Sequence, residues 1–463
     1  MSARLLIIGL EATDLSLVQR HAGEGRLPAI AGLSAHGRLK TFSASVRATD
    51  AALWASFQYA AEVGEHGRYS DFVRLRSGPF GLAVKDEQER EAIWDELSRH
   101  GMRVAVFDLP KSRAPRAING IHLADWLVHG RLFPRPLSYP ATLAGEVVNR
   151  FGEAPPSRCA PTCDELADAQ VLETLDHLRT SVSMKRAAAL YYLAQERWDC
   201  FLVNFKEMHC CSHGYWNLID PGHPAHDRAR ALRLGDPSIA ILQDIDRAVG
   251  DLIAAAGPDS EVIVFSTSGF EANGSASHLL PKIVTQLNKY IWNHGVGLLQ
   301  PKSNWAVKML PYVENACALR VSSSSRAGEA PPDAGSATTI DALEDILLRM
   351  SDPATGKTIF EACHRPSSNY AGTASRSLPD MLLVARAGVI PQSAVSAELG
   401  YIASKVPRWR PGNHRDGGFV IGRGSAVEEM VGGVDSLAQL GRVPRNTLLP
   451  CANTVAMGRL SGD

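Results

Sequence analysis

The sequence predicts an α/β fold with a mostly parallel central sheet. Short, continuous apolar runs occur at residues 4–9 (RLLIIG), 201–205 (FLVNF) and 261–266 (EVIVFS), and such runs are typical of parallel strands buried on both faces. Segments with helical periodicity lie between them, at 165–197 and 239–256. Strands that alternate with helices form parallel sheets. At 463 residues the chain is long enough for one large α/β body, and we expect a single domain.

Local signals place the elements of the first 110 residues. The first strand ends near Glu11, and a helix at 27–36 has a proline in its first turn and a glycine after it. The next helix begins at Thr49 or Asp50, either of which can be its N-cap, and ends before the segment GEHG. A helix at 91–100 then leads into a strand at 102–109.

Later elements continue the alternation. The helix at 165–197 leads into a strand at 198–205, and further elements follow: a helix at 239–256, a strand at 261–266, a helix at 341–350, and strands at 379–385 and 418–422. Residues 110–161 are rich in proline and arginine with little periodicity, so we expect a cap insertion there. We expect a second cap insertion at 274–339, which contains a mobile loop at 322–336.

Composition and charge exclude several classes of protein. With 45% hydrophobic residues, 21% charged residues and a formal net charge of -1, the chain has no electrostatic basis for binding nucleic acid or an anionic membrane. The apolar run near the N-terminus is too short for a signal peptide or a membrane span. Eight scattered cysteines are typical of reduced thiols. We therefore expect a cytoplasmic protein with a small-molecule substrate, and the sequence leaves its oligomeric state open.

His209 and His213 are the first candidate metal ligands. Two histidines four residues apart can lie on one face of a helical turn and reach one ion. For an isolated pair, the commoner alternative is one surface histidine and one hydrogen-bonded in the core. Glu207 could complete an iron site of two histidines and one carboxylate.

Polar residues follow three of the predicted strands. Glu11 follows the first strand, the tract 207–213 follows the strand at 198–205, and Thr267 with Ser268 follows the strand at 261–266. A late loop contains His414. Because the carboxyl ends of parallel strands line one crevice, we expect these residues to form one site.

Seven segments carry a resemblance to a known family. In chain order they are IGLEATD, LPAIAGLSAHG, AALWASF after a threonine-containing turn, GEHG, HCCSHGYWNLIDPGHP, VIVFSTSGF and GNHRDGGFVIGRG. Together they resemble the type I phosphodiesterase and nucleotide pyrophosphatase family of the alkaline phosphatase superfamily, from the first strand to about Gly424. The resemblance implies an alkaline phosphatase-like three-layer α/β/α sandwich with a mostly parallel central sheet and cap insertions. It also implies two zinc ions that bridge a phosphate.

The resemblance implies a changed first metal site. The family builds this site from an aspartate, a histidine four residues later and a late histidine. The corresponding residues of this chain are His209, His213 and His414, so the site becomes three histidines.

The second metal site departs further from the family pattern. There the family uses an early aspartate, a threonine nucleophile, and the aspartate and histidine of an SDHGF motif. This chain has Glu11 at the first of these positions and Thr267 and Ser268 at the last two. Asp50 occupies the nucleophile position, although Thr49 can fill it after a one-residue slip. Because neutral hydroxyls are weak zinc ligands, we expect this second site to be vestigial.

These substitutions predict a single-metal enzyme. Three imidazoles suit one tetrahedral zinc ion, with iron or manganese as alternatives, and such a zinc can lower the pKa of a bound water to about 7. With Glu11 or Asp50 as general base or acid, the site suits attack on a carbonyl or similar electrophile. Asp50 can instead be no more than an N-cap.

We therefore expect a zinc-dependent hydrolase, or a related transferase or lyase, remodelled for a non-standard small molecule that need not be a phosphate. Two alternatives remain open at the level of sequence. One is an inactive pseudoenzyme that serves as a scaffold. The other is a one-metal phosphodiesterase in which Thr49 is the nucleophile.

Overall fold

The computed structural model describes residues 3–43, 49–70, 72–74, 80–82, 90–112, 114–127, 135–156, 166–303, 305–310, 315–323, 337–374 and 378–449. The strands are β1 (Ala3–Leu10), β2 (Arg38–Phe42), β3 (Phe72–Arg74), β4 (Phe80–Leu82), β5 (Val104–Phe107), β6 (Gly120–Ala124), β7 (Leu137–Tyr139), β8 (Trp198–Phe205), β9 (Glu261–Ser266), β10 (Gly269–Ala272), β11 (Trp305–Met309), β12 (Ala316–Ser323), β13 (Phe360–His364), β14 (Met381–Ala385), β15 (Ser393–Ser396), β16 (Gly400–Ala403), β17 (Gly412–Arg415) and β18 (Gly418–Arg423).

The helices alternate with these strands along most of the chain. They are α1 (Leu15–Gly23), α2 (Pro28–His36), α3 (Asp50–Tyr59), α4 (Val63–His66), α5 (Ile93–Arg99), α6 (Leu143–Phe151), α7 (Asp168–Gln195), α8 (Glu207–Ile219), α9 (Arg228–Leu234), α10 (Pro237–Ala256), α11 (Leu280–His294), α12 (Ala337–Leu348), α13 (Pro366–Asn369), α14 (Ser425–Gly432) and α15 (Leu437–Leu448).

The central sheet has eight strands in the order β2-β18-β9-β1-β8-β5-β6-β7. The five strands from β9 to β6 run parallel to one another, and β18, β2 and β7 are antiparallel to their neighbours. The predicted mostly parallel sheet is therefore confirmed. Parallel sheets need helices on both faces, because their strands are buried on both sides.

Helices do cover both faces of this sheet. Along β1, Leu6 and Ile8 join one apolar core and Leu5 and Ile7 join another, as the two-residue period of a strand requires. Helices α7, α8 and α10 pack in the first core, and α3, α5 and α15 in the second. The three-layer α/β/α sandwich is thus confirmed.

The stretch at 110–161 differs from the predicted cap insertion. It contributes β6 and β7, which extend the central sheet at one edge, and α6, which packs beside them. Proline-rich composition hid these short strands, since β7 has only three residues and β6 has five. Part of the stretch, at 128–134 and 157–161, lies outside the described residues.

The stretch at 274–339 belongs to a second, smaller unit. Strands β11 and β12 join β14 and β13 in a four-stranded antiparallel sheet, which has a core of its own with α11 and α12. The unit therefore reaches past residue 339, and its core includes residues as late as Ile402. The strand predicted at 379–385 lies in this sheet and not in the central one. Most of the predicted mobile loop, residues 324–336, lies outside the described residues.

Two further observations concern the setting of the protein. Within the described residues, no helix combines the length and the apolar character needed to cross a bilayer. Five cysteines within the described residues are reduced thiols, not members of a disulfide: Cys200, Cys210, Cys211, Cys317 and Cys363.

Candidate metal centre

The site lies where three parallel strands of the central sheet end. Leu10 of β1 pairs with Phe205 of β8, and Gly9 pairs with Phe265 of β9. The ends of the three strands are therefore level, and the residues that follow them face one crevice.

Helix α8 begins immediately after β8 and carries two of the predicted ligands. His209 and His213 are one helical turn apart, and both are buried. Their ring centroids lie 4.4 Å apart. The one-turn spacing thus directs both imidazoles to the same point, as predicted.

Strand β17 brings the third histidine from the far end of the chain. It pairs with β10, the short strand after β9, so that His414 lies opposite Phe270. The His414 Nε2 atom is 3.0 Å from Nε2 of His209 and 3.1 Å from Nε2 of His213. The structure therefore brings all three predicted histidines together, with ligand atoms within 4.8 Å of one another.

The outer ring nitrogens of two histidines have hydrogen-bond partners. His213 Nδ1 lies 2.7 Å from the Gly412 carbonyl, and a carbonyl can only accept, so Nδ1 donates and Nε2 of the neutral ring keeps its lone pair. His414 Nδ1 lies 3.0 Å from the Ser268 hydroxyl. Burial lowers the pKa of His213 well below its usual value, and Arg410 and the other two imidazoles lower it further. Hydrogen bonds of this kind orient metal-binding histidines.

Asp50, and not Thr49, lies beside the histidines. Asp50 Oδ2 is 3.4 Å from His209 Nε2 and 3.2 Å from His414 Nε2. Burial raises the pKa of Asp50, but the two imidazoles lower it more, so it is well below its usual value. Asp50, the first residue of α3, therefore has its carboxylate inside the site, in contact with two of the three histidines.

Thr49 has a structural position instead. Its hydroxyl caps α3 by accepting from the Ala52 amide at 3.2 Å, and it donates to the Tyr69 carbonyl. Both bonds hold this hydroxyl on the backbone. The geometry does not favour the slipped threonine as a nucleophile.

Glu11 lies close to Asp50 and His209. The ligand atoms of Glu11, Asp50 and His209 form a second group within 4.8 Å of one another. Glu11 is 4% exposed, and its amide donates to the Phe205 carbonyl at 2.8 Å. The early carboxylate is thus inside the site, as predicted.

Known proteins resemble this chain in sequence and in fold. The family model described as type I phosphodiesterase / nucleotide pyrophosphatase matches residues 5–406. The chain belongs to this family. The comparison with curated protein sequences found no significant match.

Solved structures with the same fold include a phosphonoacetate hydrolase. The phosphonoacetate hydrolase of Sinorhizobium meliloti 1021 is similar to this family member with a TM-score of 0.55 in its complex with phosphonoformate and 0.52 in its complex with phosphonoacetate. Each match has 12% identity and covers 96% of both chains. Murine ectonucleotide pyrophosphatase/phosphodiesterase 5, in complex with AMP, has a TM-score of 0.46 and 10% identity, with 91% of this chain and 88% of that chain covered. At 12% identity, the likeness to the phosphonoacetate hydrolase shows the fold alone.

Thr267 and Ser268 follow β9, as predicted for the vestigial half of this family member's site. Both are buried. Ser268 bonds His414 Nδ1, and the Thr267 hydroxyl has no hydrogen-bond partner within the described part of the chain. Ser268 therefore supports a ligand of the three-histidine group, a role that its sequence position alone did not indicate.

Glu207 faces away from the histidines. Its Oε1 lies 3.4 Å from Lys185 Nζ on α7, and Glu207 is absent from both possible ligand groups of the described residues. The alternative of an iron site that includes Glu207 does not fit this geometry.

Sequence reasoning missed a row of buried charges beside the site. Lys206 lies 3.2 Å from Asp108 Oδ1, and Lys185 lies 3.0 Å from Asp108 Oδ2. Burial raises the pKa of Asp108, but the ammonium groups of Lys206 and Lys185 lower it by more. The pKa is therefore below its usual value, and the carboxyl is ionised. Asp108 directly follows β5 at φ 55°, a position that the strand-end rule could have identified.

Proposed function

We propose that this family member is a single-metal hydrolase in which His209, His213 and His414 hold one zinc ion. The observation that carries the proposal is the convergence of three Nε2 atoms from α8 and β17. Two unprotonated imidazole nitrogens about 3 Å apart repel each other unless a proton or a cation lies between them. A shared cation satisfies all three at once.

The distances support zinc. With Zn–N bonds of about 2.0 to 2.1 Å, a tetrahedral site separates its nitrogen ligands by about 3.3 to 3.4 Å. The two Nε2 separations of 3.0 and 3.1 Å reach that value with shifts of a few tenths of an ångström. When bound, such an ion polarises a substrate oxygen and lowers the pKa of a water ligand to about 7.

The ligand set favours zinc over iron and manganese. Manganese prefers oxygen ligands, and the non-haem iron sites of oxygenases use a carboxylate with two histidines. Glu207, the carboxylate nearest in sequence, is paired with Lys185. Three neutral imidazoles leave zinc as the ion that best matches the donors.

Asp50 is the acid-base residue in this proposal. Its Oδ2 lies beside His209 and His414 and is therefore within reach of a proton released at the metal position. Glu11 lies next to Asp50 and can accept that proton in turn or orient the substrate. Thr49 takes no chemical part, because its hydroxyl is bonded to the backbone.

The substrate is proposed to be a small molecule that is not a standard phosphodiester. Cleavage of phosphodiesters at two-metal sites uses both ions to stabilise the attacking and leaving oxygens. Here Thr267 and Ser268 supply only hydroxyls on the second side. The similar phosphonoacetate hydrolase is a precedent within this fold for a hydrolase named for a phosphonate. We propose that the protein acts in the cytoplasm, because reduced thiols such as its described cysteines are typical of a reducing compartment.

Metal analysis together with a substrate panel tests this proposal. Protein purified without chelator is expected to hold about one zinc, and roughly 0.1 equivalent or less would favour a scaffold without activity. Aryl phosphodiesters, aryl phosphonates and carboxylic esters are then offered with and without zinc. The expected result is zinc-dependent turnover outside the phosphodiester class that Asp50→Asn abolishes. Turnover of the phosphodiester that persists in Asp50→Asn but vanishes in Thr49→Ala would overturn it.

A further inference from the structure

We infer that the Lys206 ammonium is a built-in second cation of this centre, which holds Glu11 in place and keeps the group of Glu11, Asp50 and His209 from binding a second metal ion. The inference rests on the proposed single-metal function. It concerns a residue that follows β8 directly and precedes α8.

The sheet register places Lys206 next to Glu11. Leu10 and Phe205 are the last paired residues of β1 and β8, and the Glu11 amide continues the ladder by donating to the Phe205 carbonyl. Glu11 and Lys206 are therefore neighbours at the ends of two adjacent strands. Their side chains are 4% and 3% exposed, so water screens their charges poorly.

Lys206 is fixed on its other side by Asp108. The Nζ atom lies 3.2 Å from Asp108 Oδ1, and Asp108 Oδ2 lies 3.0 Å from Lys185. Burial lowers the pKa of Lys206, but Asp108, Asp125 and Glu11 together raise it above its usual value. The ammonium therefore keeps its charge.

The position of this charge has a consequence for metal binding. A cation that Glu11, Asp50 and His209 shared would have to lie beside the fixed ammonium, and the two positive charges would repel strongly at low local polarity. The three-histidine group takes its other two members from elsewhere: His213 packs against Phe270 of β10, and His414 lies on β17. The centre is thus limited to one metal ion by an internal charge as well as by its ligands.

Zinc titration of the protein tests the inference without any substrate. The binding stoichiometry is measured by calorimetry and by metal analysis after gel filtration. We expect about one equivalent for the wild type and about two for Lys206→Met, with second binding at least about tenfold tighter than in the wild type. Lys206→Arg keeps the charge and should remain at one equivalent. The double variant Lys206→Met with Glu11→Gln should return to one.

Lys185→Met is the matched control. Lys185, on α7, pairs with the same Asp108 and with Glu207 at the start of α8. If loss of a buried lysine merely loosened the site, both methionine variants would bind a second ion. The inference requires that only Lys206→Met does so.

Several outcomes would overturn it. One is a folded Lys206→Met that still binds a single zinc, and another is a second zinc in Lys206→Arg. Should Lys206→Met fail to fold, the wild type and Glu11→Gln decide alone: one equivalent in both supports the inference, and two in the wild type with one in Glu11→Gln refutes it. A wild type that takes two zinc ions leaves the three-histidine site standing, whereas one that takes none overturns the proposed function as well.

Discussion

His414 Nε2 lies 3.0 Å from His209 Nε2, although 205 residues separate them in the chain. The contact depends on the antiparallel pair β10 and β17, which holds His414 opposite Phe270. Residue 414 also lies beyond the segment at 5–406 that the family model matches. His414, the third ligand of the proposed site, therefore comes from a part of the chain outside the matched segment.

His414→Ala should abolish tight zinc binding. Two imidazoles remain in the variant, but a tetrahedral zinc needs three or four protein ligands to compete with water. We expect the zinc affinity to fall by at least about 100-fold in a calorimetric titration. His36→Ala is the control, since His36 is exposed at the end of α2. Equal affinities in the two variants would contradict the three-histidine site.

Substitutions of Ser268 and Thr267 test whether the hydrogen bond from Ser268 to His414 strengthens zinc binding. Ser268→Ala removes the hydroxyl that lies 3.0 Å from His414 Nδ1, and loss of such a partner typically weakens metal binding by about 10 to 100-fold. Thr267→Val keeps the branched shape of the side chain and removes a hydroxyl that has no hydrogen-bond partner within the described chain. The zinc affinity should therefore change by less than about threefold. The dissociation constants of zinc decide. A larger loss in Thr267→Val would indicate that Thr267 is itself a ligand.

Thr49→Ala should lower stability and leave zinc binding unchanged. The substitution removes both the N-cap of α3 and the bond to the Tyr69 carbonyl, which together should cost about 1 to 2 kcal/mol of unfolding free energy. Denaturant unfolding measures the loss, and Thr49→Ser, which keeps the hydroxyl, should restore most of it. Full stability in Thr49→Ala, combined with loss of turnover, would return the nucleophile to Thr49.

The sequence predicted the central sheet and the first two histidines for a shared reason. Buried parallel strands have a strong apolar signature and their ends converge, which placed His209 and His213 at the edge where β8 ends. His414 was assigned to the same site by the resemblance to the family. The choice between Asp50 and Thr49 could not be made, because adjacent residues at a helix start point in different directions and a one-residue slip exchanges their roles.

The region beyond the strands was harder to predict. Residues 120–124 have a weak strand signal because the strand is short, and β-propensity depends on packing against the neighbouring strands, here β5 and β7. Lys206 was missed for a related reason. Its significance comes from Asp108 and Glu11, which lie 98 and 195 residues away in the chain, and nothing in the local sequence indicates either neighbour.

His66 provides a prediction about pH. Its Nδ1 accepts from the Arg68 amide at 3.0 Å, and its Nε2 lies 3.0 Å from the Ser56 hydroxyl, so the neutral ring suits both partners. Burial lowers its pKa to about 3, with contributions from Arg68 and Arg90. In the unfolded chain the ring titrates near its usual value of about 6.5. Between these two values the unfolded state binds more protons than the folded state, so stability must fall as the pH is lowered through that range.

Two measurements check the behaviour of His66. The Cε1 proton resonance of this histidine should stay at its neutral position down to about pH 4. His66→Gln keeps an acceptor and a donor but cannot titrate, so its unfolding free energy should change less between pH 6.5 and pH 4 than that of the wild type, by an amount of the order of 2 to 4 kcal/mol. Parallel pH profiles for the two proteins, or a wild-type resonance that titrates near pH 6.5, would show that His66 is protonated in the folded state. The short turn α4, which ends at Gly67 with φ 67°, would then have to tolerate a charge beside Arg68 that its hydrogen bonds oppose.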